Sequence, residues 1–207
     1  LNVKEQIERI LLYDRDDNQP LQTITNTGLF VGIEIETVQS DEISVQVESV
    51  SLLFDSNATF NLYLFKDGKK SPIATKSVTV VASEATVVNM TDVVLNYIGQ
   101  TTKGSTFFLG YFQDDLGSAK AIREQVSEWG VQKCFCAHPM QSPKIVGQTD
   151  FDRTQISETS DTVGLNVEIS TFRDQTNAIV KKAHLFDELQ GLQMAYNVLE
   201  GIMYSTS

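Results

Sequence analysis

Residues 43–54 read ISVQVESVSLLF, and the reading of this stretch decides the fold. Ile43, Val45 and Val47 alternate with Ser44, Gln46 and Glu48, the period of two that places successive side chains on opposite faces of a strand. At Glu48 the phase flips, and Val50, Leu52 and Phe54 carry the apolar set onward. One extra residue inside an otherwise alternating strand is the signature of a β-bulge. The stretch is therefore expected to be a single bulged strand with one face turned to a core.

The same period extends to both sides. Before it, LFVGIEIETV (29–38) sets Val31, Ile33 and Ile35 against Gly32, Glu34 and Glu36. After it come TFNLYLF (59–65), PIATKSVTVV (72–81), ATVVNMTDVVLNY (85–97) and STFFLGYF (105–112). Turn signals such as Asp55-Ser56-Asn57 and Lys66-Asp67-Gly68 separate them. Strands in close succession, with no helical pattern between them, predict an antiparallel β-sandwich or jelly roll rather than a parallel α/β sheet.

The flanks read differently. Residues 1–25 are expected to form a short N-terminal helix and a linker. Asn2 caps it, Glu5 completes a capping box, and Val3, Ile7, Ile10 and Leu11 share one face. The sandwich spans 26–118. Residues 119–162 read as a loop-rich arm, because EWGVQKCFCAHPMQSPK (128–144) carries two prolines and both cysteines. Within that arm SAKAIREQVSEW (118–129) offers a helix start, and TDFDRTQISETSDT (149–162) is polar and reads as mobile. Residues 163–207 give one strand, with Leu165, Val167 and Ile169 on one face, and then a long helix beginning between Asp174 and Asn177. Leu185, Leu189, Leu192, Tyr196, Leu199 and Met203 follow one another at steps of four, three, four, three and four. Those are heptad a and d steps, which suit either a helix packed on its own domain or a seam against a neighbouring subunit.

Composition narrows the function classes. The 207 residues carry a formal net charge of -11, which disfavours a nucleic-acid groove. The basic clusters, 66–70 and Lys181-Lys182, read as a hairpin turn and a solvated helix face. No run approaches the roughly 18 apolar residues of a membrane span. Asp114 and Asp115 follow the apolar run 107–112, but adjacent residues of a strand point to opposite faces, so the pair reads as a strand end meeting a helix start. Cys134, Cys136 and His138 stand two apart, too spread along an extended chain for one tetrahedral ion, and no metal or other cofactor is expected. GQTTKGST (99–106) misses the phosphate-loop pattern, because its lysine precedes the second glycine and a strand follows. With two histidines and no G-x-S-x-G, catalytic residues are not expected and the chain does not read as an enzyme.

Two segments, STFFLGYFQDDLGSAKAI (105–122) and the stretch 164–207, resemble virion proteins of tailed phages infecting Bacteroidetes, including crAss-like phages. The resemblance covers about a third of the chain and implies a β-sandwich with a helical appendage. It further implies a tail or head–tail connector component, in a homo-oligomeric ring with other virion proteins, assembled in the host cytoplasm. Under that reading the six-residue heptad stripe is the oligomer interface, and the arm orders on a neighbour. The competing reading is a carbohydrate-binding β-sandwich module, with Tyr63, Phe65, Tyr97 and Tyr111 as stacking platforms for a glycan.

Overall fold

A computed structural model describes residues 4–12, 22–38, 43–95, 105–123, 134–159, 161–174, 180 and 183–205. The chain is mainly β, with one long C-terminal helix. Eight strands build the core: β1 (Lys4–Leu11), β3 (Leu29–Thr37), β4 (Ile43–Leu52), β5 (Ala58–Lys66), β6 (Ala74–Val80), β7 (Thr86–Leu95), β8 (Thr106–Phe112) and β12 (Leu165–Asp174). Four shorter or inserted strands join them: β2 (Gln22–Thr23), β9 (Ile122–Arg123), β10 (Phe135–Pro143) and β11 (Ser157–Glu158). The helix α1 spans Ala183–Ser205.

One sheet runs β1-β12-β4-β7 and the other β11-β10-β3-β8-β5-β6, while β2 and β9 pair by themselves. Every pairing between named strands is antiparallel. The eight core strands pair outermost with outermost: β1 with β12, β3 with β8, β4 with β7, and β5 with β6. That is a long hairpin ribbon whose tip is the turn between β5 and β6. Rolling the ribbon over brings β4 beside β12 and β5 beside β8, which closes a jelly roll. Between β8 and β12 the chain makes an excursion that adds β10 and β11 to the outer side of β3.

The bulge lies where the phase flips. Against β12, Val47 pairs with Ile169 and Ser49 with Glu168, and against β7 the register again skips between Val47 and Ser49. Glu48 is the extra residue against β12, whereas against β7 the extra residues lie on β7, between Asn89 and Val93. Val45, Val47, Val50, Leu52 and Phe54 all reach the core between the sheets, together with Leu165, Val167 and Ile169 of β12. Tyr111 stands in that core as well, and its hydroxyl donates to the Val163 carbonyl at 2.8 Å. Val163 and Gly164 both hold positive φ (49° and 71°), so Tyr111 fastens the tight turn that launches β12.

The structure revises two of the expected elements. Lys4–Leu11 is a strand rather than the N-terminal helix. It lies at a sheet edge, pairs with β12, and is tied there by the Arg9 guanidinium, whose Nε and Nη2 donate to the two Glu168 oxygens at 2.7 and 2.8 Å. Residues 5–9 are all exposed, so no alternation of burial was written into the sequence to mark a strand. The proposed cap Asn2 and Val3 lie outside the described residues.

The second revision is β10, which replaces the loop expected at 135–143 and pairs with β3 along nine positions. Its prolines, Pro139 and Pro143, are tolerated because both turn away from β3: their carbonyls accept from the Thr159 and Asp152 amides on the outer side, where β11 pairs only Met140 and Gln141 and no amide is demanded of either proline. Ala121 and β9 (Ile122–Arg123) occupy part of the expected helix at 118–129, and 124–133 lie outside the described residues. The sheets therefore draw strands from all four of the segments 1–25, 26–118, 119–162 and 163–207.

Candidate interaction surfaces

The outer face of the six-stranded sheet carries a second, aromatic core. Gly32 of β3 stands opposite Gly110 of β8, and a Cβ on either would strike the backbone of the other strand. The pair lets the strands approach closely, and the Phe30 ring lies against Gly110. Around Phe30 gather Tyr63, Phe65, Phe108, Phe112 and Met140. The polar stretch 149–159, expected to be mobile, supplies the lid. Phe151 is fully buried and stacks on Phe30, with ring centroids 4.4 Å apart and planes 6° from parallel.

Arg153 locks that lid. Its guanidinium sits 4.7 Å above the Phe151 ring, donates to Asp150 Oδ1 at 2.9 Å, and donates to the Lys69 carbonyl at 2.6 Å. One side chain thus joins the lid to the β5–β6 turn. Asp152 accepts from the Thr154 hydroxyl and amide and from the Gln155 amide, and these bonds hold its carboxyl below the usual carboxylate range.

Asp114 and Asp115 belong to a single 3-10 turn, Gln113–Leu116, directly after β8, and Gly117 ends that turn with φ 63°. The pair is a strand end, as read, but it leads into this short turn and not into the helix expected from 118, since Ile122–Arg123 is a strand. The residue that fixes this boundary is Gln113, which the sequence reading passed over. Its buried Oε1 accepts from the Thr27 amide, the Thr27 hydroxyl and the Leu29 amide, stitching the turn to the start of β3. Asp114 takes a 3.4 Å contact from Lys144 Nζ, and Asp115 accepts from the Tyr63 hydroxyl at 3.3 Å. Tyr63, Phe112, Asp115, Lys144, Gln148 and Thr149 line a small open cleft of about 260 Å³.

Cys134 is buried in the inter-sheet core, whereas Cys136 is half-buried on β10 opposite Glu36, so the pair is not two thiols in a loop. His138 pairs with Glu34, whose carboxyl is pushed above its usual range by desolvation and by neighbouring Glu36. Among the described residues, no three His, Cys, Asp or Glu side chains converge as a metal site would require. Among those residues no helix is long and apolar enough to cross a membrane. Tyr63, Phe65 and Tyr111 are buried, so they offer no open stacking platform, and Tyr97 lies outside the described residues. Residues 66–70 do form the expected hairpin turn. Residues 99–104 and Lys181-Lys182 also lie outside the described residues.

The α1 surface differs from everything above. Leu185, Leu189, Leu192, Tyr196, Leu199 and Met203 are between 45% and 69% exposed, and Met194 and Val198 are exposed as well. A Cβ added at Gly191 or Gly201 would meet nothing. Whether this helix packs on its own domain or against a neighbour, its stripe stays open to solvent in the single chain. Apolar side chains exposed over such a length mark an interaction surface. No family model, curated protein or solved structure matches the chain.

Proposed function

We propose that this chain is a structural subunit of a tailed-phage virion, a tail or head–tail connector component that enters a homo-oligomeric ring alongside other virion proteins. The observation that carries this reading is α1: a 23-residue helix with heptad-spaced leucines turned to solvent. Burying such a stripe against neighbours is how isolated apolar helices reach stability. A self-contained jelly roll with such a helix appended suits a subunit that brings its own fold and its own joint. The resemblance of residues 105–122 and 164–207 to phage virion proteins supplies the setting, a virion assembled in the host cytoplasm. The reading assigns the chain no catalysis.

Light scattering after size exclusion, run on the full chain across a range of concentrations, tests this. The expected result is a mass that is a multiple of the chain mass, reduced when Leu189, Leu192 and Leu199 are replaced together by Ser. A strict monomer at every concentration would overturn self-assembly.

Carbohydrate binding stands as a second reading, moved from the buried aromatics to the cleft beside Tyr63. An aromatic edge flanked by Asp115, Lys144, Gln148 and Thr149 is chemistry that suits a sugar ring and its hydroxyls. Chemical-shift changes at these residues on titration with monosaccharides would favour it. Unchanged spectra at millimolar sugar would end it.

A further inference from the structure

Resting on the reading of α1 as an assembly helix, we infer that α1 carries two seams and joins copies of this chain into a closed ring of more than four parallel helices. At about 100° of rotation per residue, Leu185, Leu189, Leu192, Tyr196 and Leu199 fall within an arc of roughly 80°. Gly191, Met194, Ala195 and Val198 form a second stripe, centred roughly 130° away from the first, with Ile202 continuing it and the polar His184 and Asp187 on the same arc at the N-terminal end of the helix. The remaining arc, opposite the gap between the stripes, holds Gln190, Gln193, Asn197 and Glu200 over the middle of the helix, with Phe186 and Tyr204 on the same arc near its two ends, and Gln193 donates to Asn197 at 3.0 Å along it.

A single partner helix covers one stripe, so the second calls for a second neighbour. The two stripes are complementary in shape. The first is made of large side chains, whereas the second places Gly191 and Ala195 beside Met194 and Val198. Cyclic symmetry sets equal residue numbers at equal heights, so Leu192 of one copy meets Gly191 and Ala195 of the next. Among the described residues Gly191 has no packing role, since a Cβ there meets only open space. A mid-helix glycine weakens a helix relative to alanine, and a close-packed neighbour gives it a reason. Large stripe on small stripe is a head-to-tail contact, the kind that closes into rings.

The angle limits the size of that ring. Neighbours lie about 60° apart around a helix in a ring of three and about 90° apart in a ring of four, so roughly 130° requires a larger one. Charge agrees with this. Glu188 falls between the two stripes, on the side facing the ring interior, while the polar strip faces out. A dry bundle core does not accept one carboxylate from every copy, whereas a wide, water-filled ring does.

Native mass spectrometry of the full chain tests this, with far-UV circular dichroism to verify that each variant keeps its helix. The wild type is expected to show one dominant species of five or more copies. Leu192→Glu on the first stripe and Gly191→Leu on the second are each expected to raise the assembly concentration at least tenfold. Asn197→Glu, on the outer strip, is expected to leave it unchanged. Gly191→Leu raises helix propensity, so its loss of assembly would not come from unfolding. A dimer, trimer or tetramer would overturn the two-seam ring while leaving self-assembly intact. So would full assembly of Gly191→Leu alongside dissolution by Leu192→Glu. A wild-type chain that stays monomeric would overturn both the ring and the self-assembly on which it rests.

Discussion

Leu109 and Leu192 are the same residue in opposite situations. Leu109 is fully buried between the sheets of the jelly roll, and Leu192 is 69% exposed on α1. In the sandwich, each apolar phase of a strand finds its partners on the other sheet, and the outer face of β3, β5 and β8 finds Phe151 and Arg153. On α1 the apolar pattern is as regular, yet among the described residues it meets no second layer. The two regions answer to different conditions. The sandwich finds its second layer within one chain, and under the proposed assembly the helix finds its own in other copies.

The sharpest way to break this contrast is to make the same substitution in both places. Leu109→Ala should cost about 2–5 kcal/mol of sandwich stability in urea denaturation. Leu192→Ala, measured at a concentration below assembly, should stay within about 0.5 kcal/mol of wild type and change only the oligomer mass. Equal effects at the two sites would mean that α1 packs on its own sandwich.

Phe151→Ala probes whether the lid belongs to the complete region. The loss of a fully buried ring from the aromatic cluster should cost about 3–5 kcal/mol and open residues 144–156 to proteolysis. An unchanged unfolding midpoint would make the lid a passenger. Tyr111→Phe keeps the ring but leaves the Val163 carbonyl without its donor, at a cost of about 1 kcal/mol by the same assay.

The smallest effect is electrostatic. Desolvation raises the folded-state pKa of Glu34, so this carboxyl weakens the fold as pH rises past its unfolded value of 4.5. Glu34→Gln should therefore raise the melting temperature at neutral pH and leave it unchanged well below that value. Glu168 has the opposite sign. Arg9 lowers its folded-state pKa, so its contribution is present above the unfolded value and lost as the solution is acidified through the folded one. A Glu168→Gln variant should lose melting temperature at neutral pH and converge with wild type in acid.

Much of the sandwich was legible because its strands are half-buried, so burial is written as alternation. The bulge at Glu48, the 66–70 turn and the inward face of β12 follow from that rule alone. β1 was not legible. As an exposed edge strand it has no buried face to record, and Val3, Ile7 and Ile10 happen to fit a helical spacing. β10 was hidden by two prolines that matter little where they sit, because both turn away from the β3 ladder. The lid was missed because its few decisive residues, Phe151 and Arg153, sit among polar neighbours, and what they bury comes from strands far away in sequence. The stripe on α1 was legible as a pattern. Whether it faced the chain's own domain or solvent was not, since heptad spacing is the same in both cases.

Hydrogen exchange along the full chain, followed as a function of protein concentration, separates a helix completed by neighbours from one completed by its own chain. Amides of β3, β4, β8 and β12 are expected to be protected to the same degree at every concentration, while protection of α1 appears only as concentration rises. Protection of α1 in the most dilute sample, equal to that of the strands, would show that the helix packs within its own chain and would overturn its role in assembly.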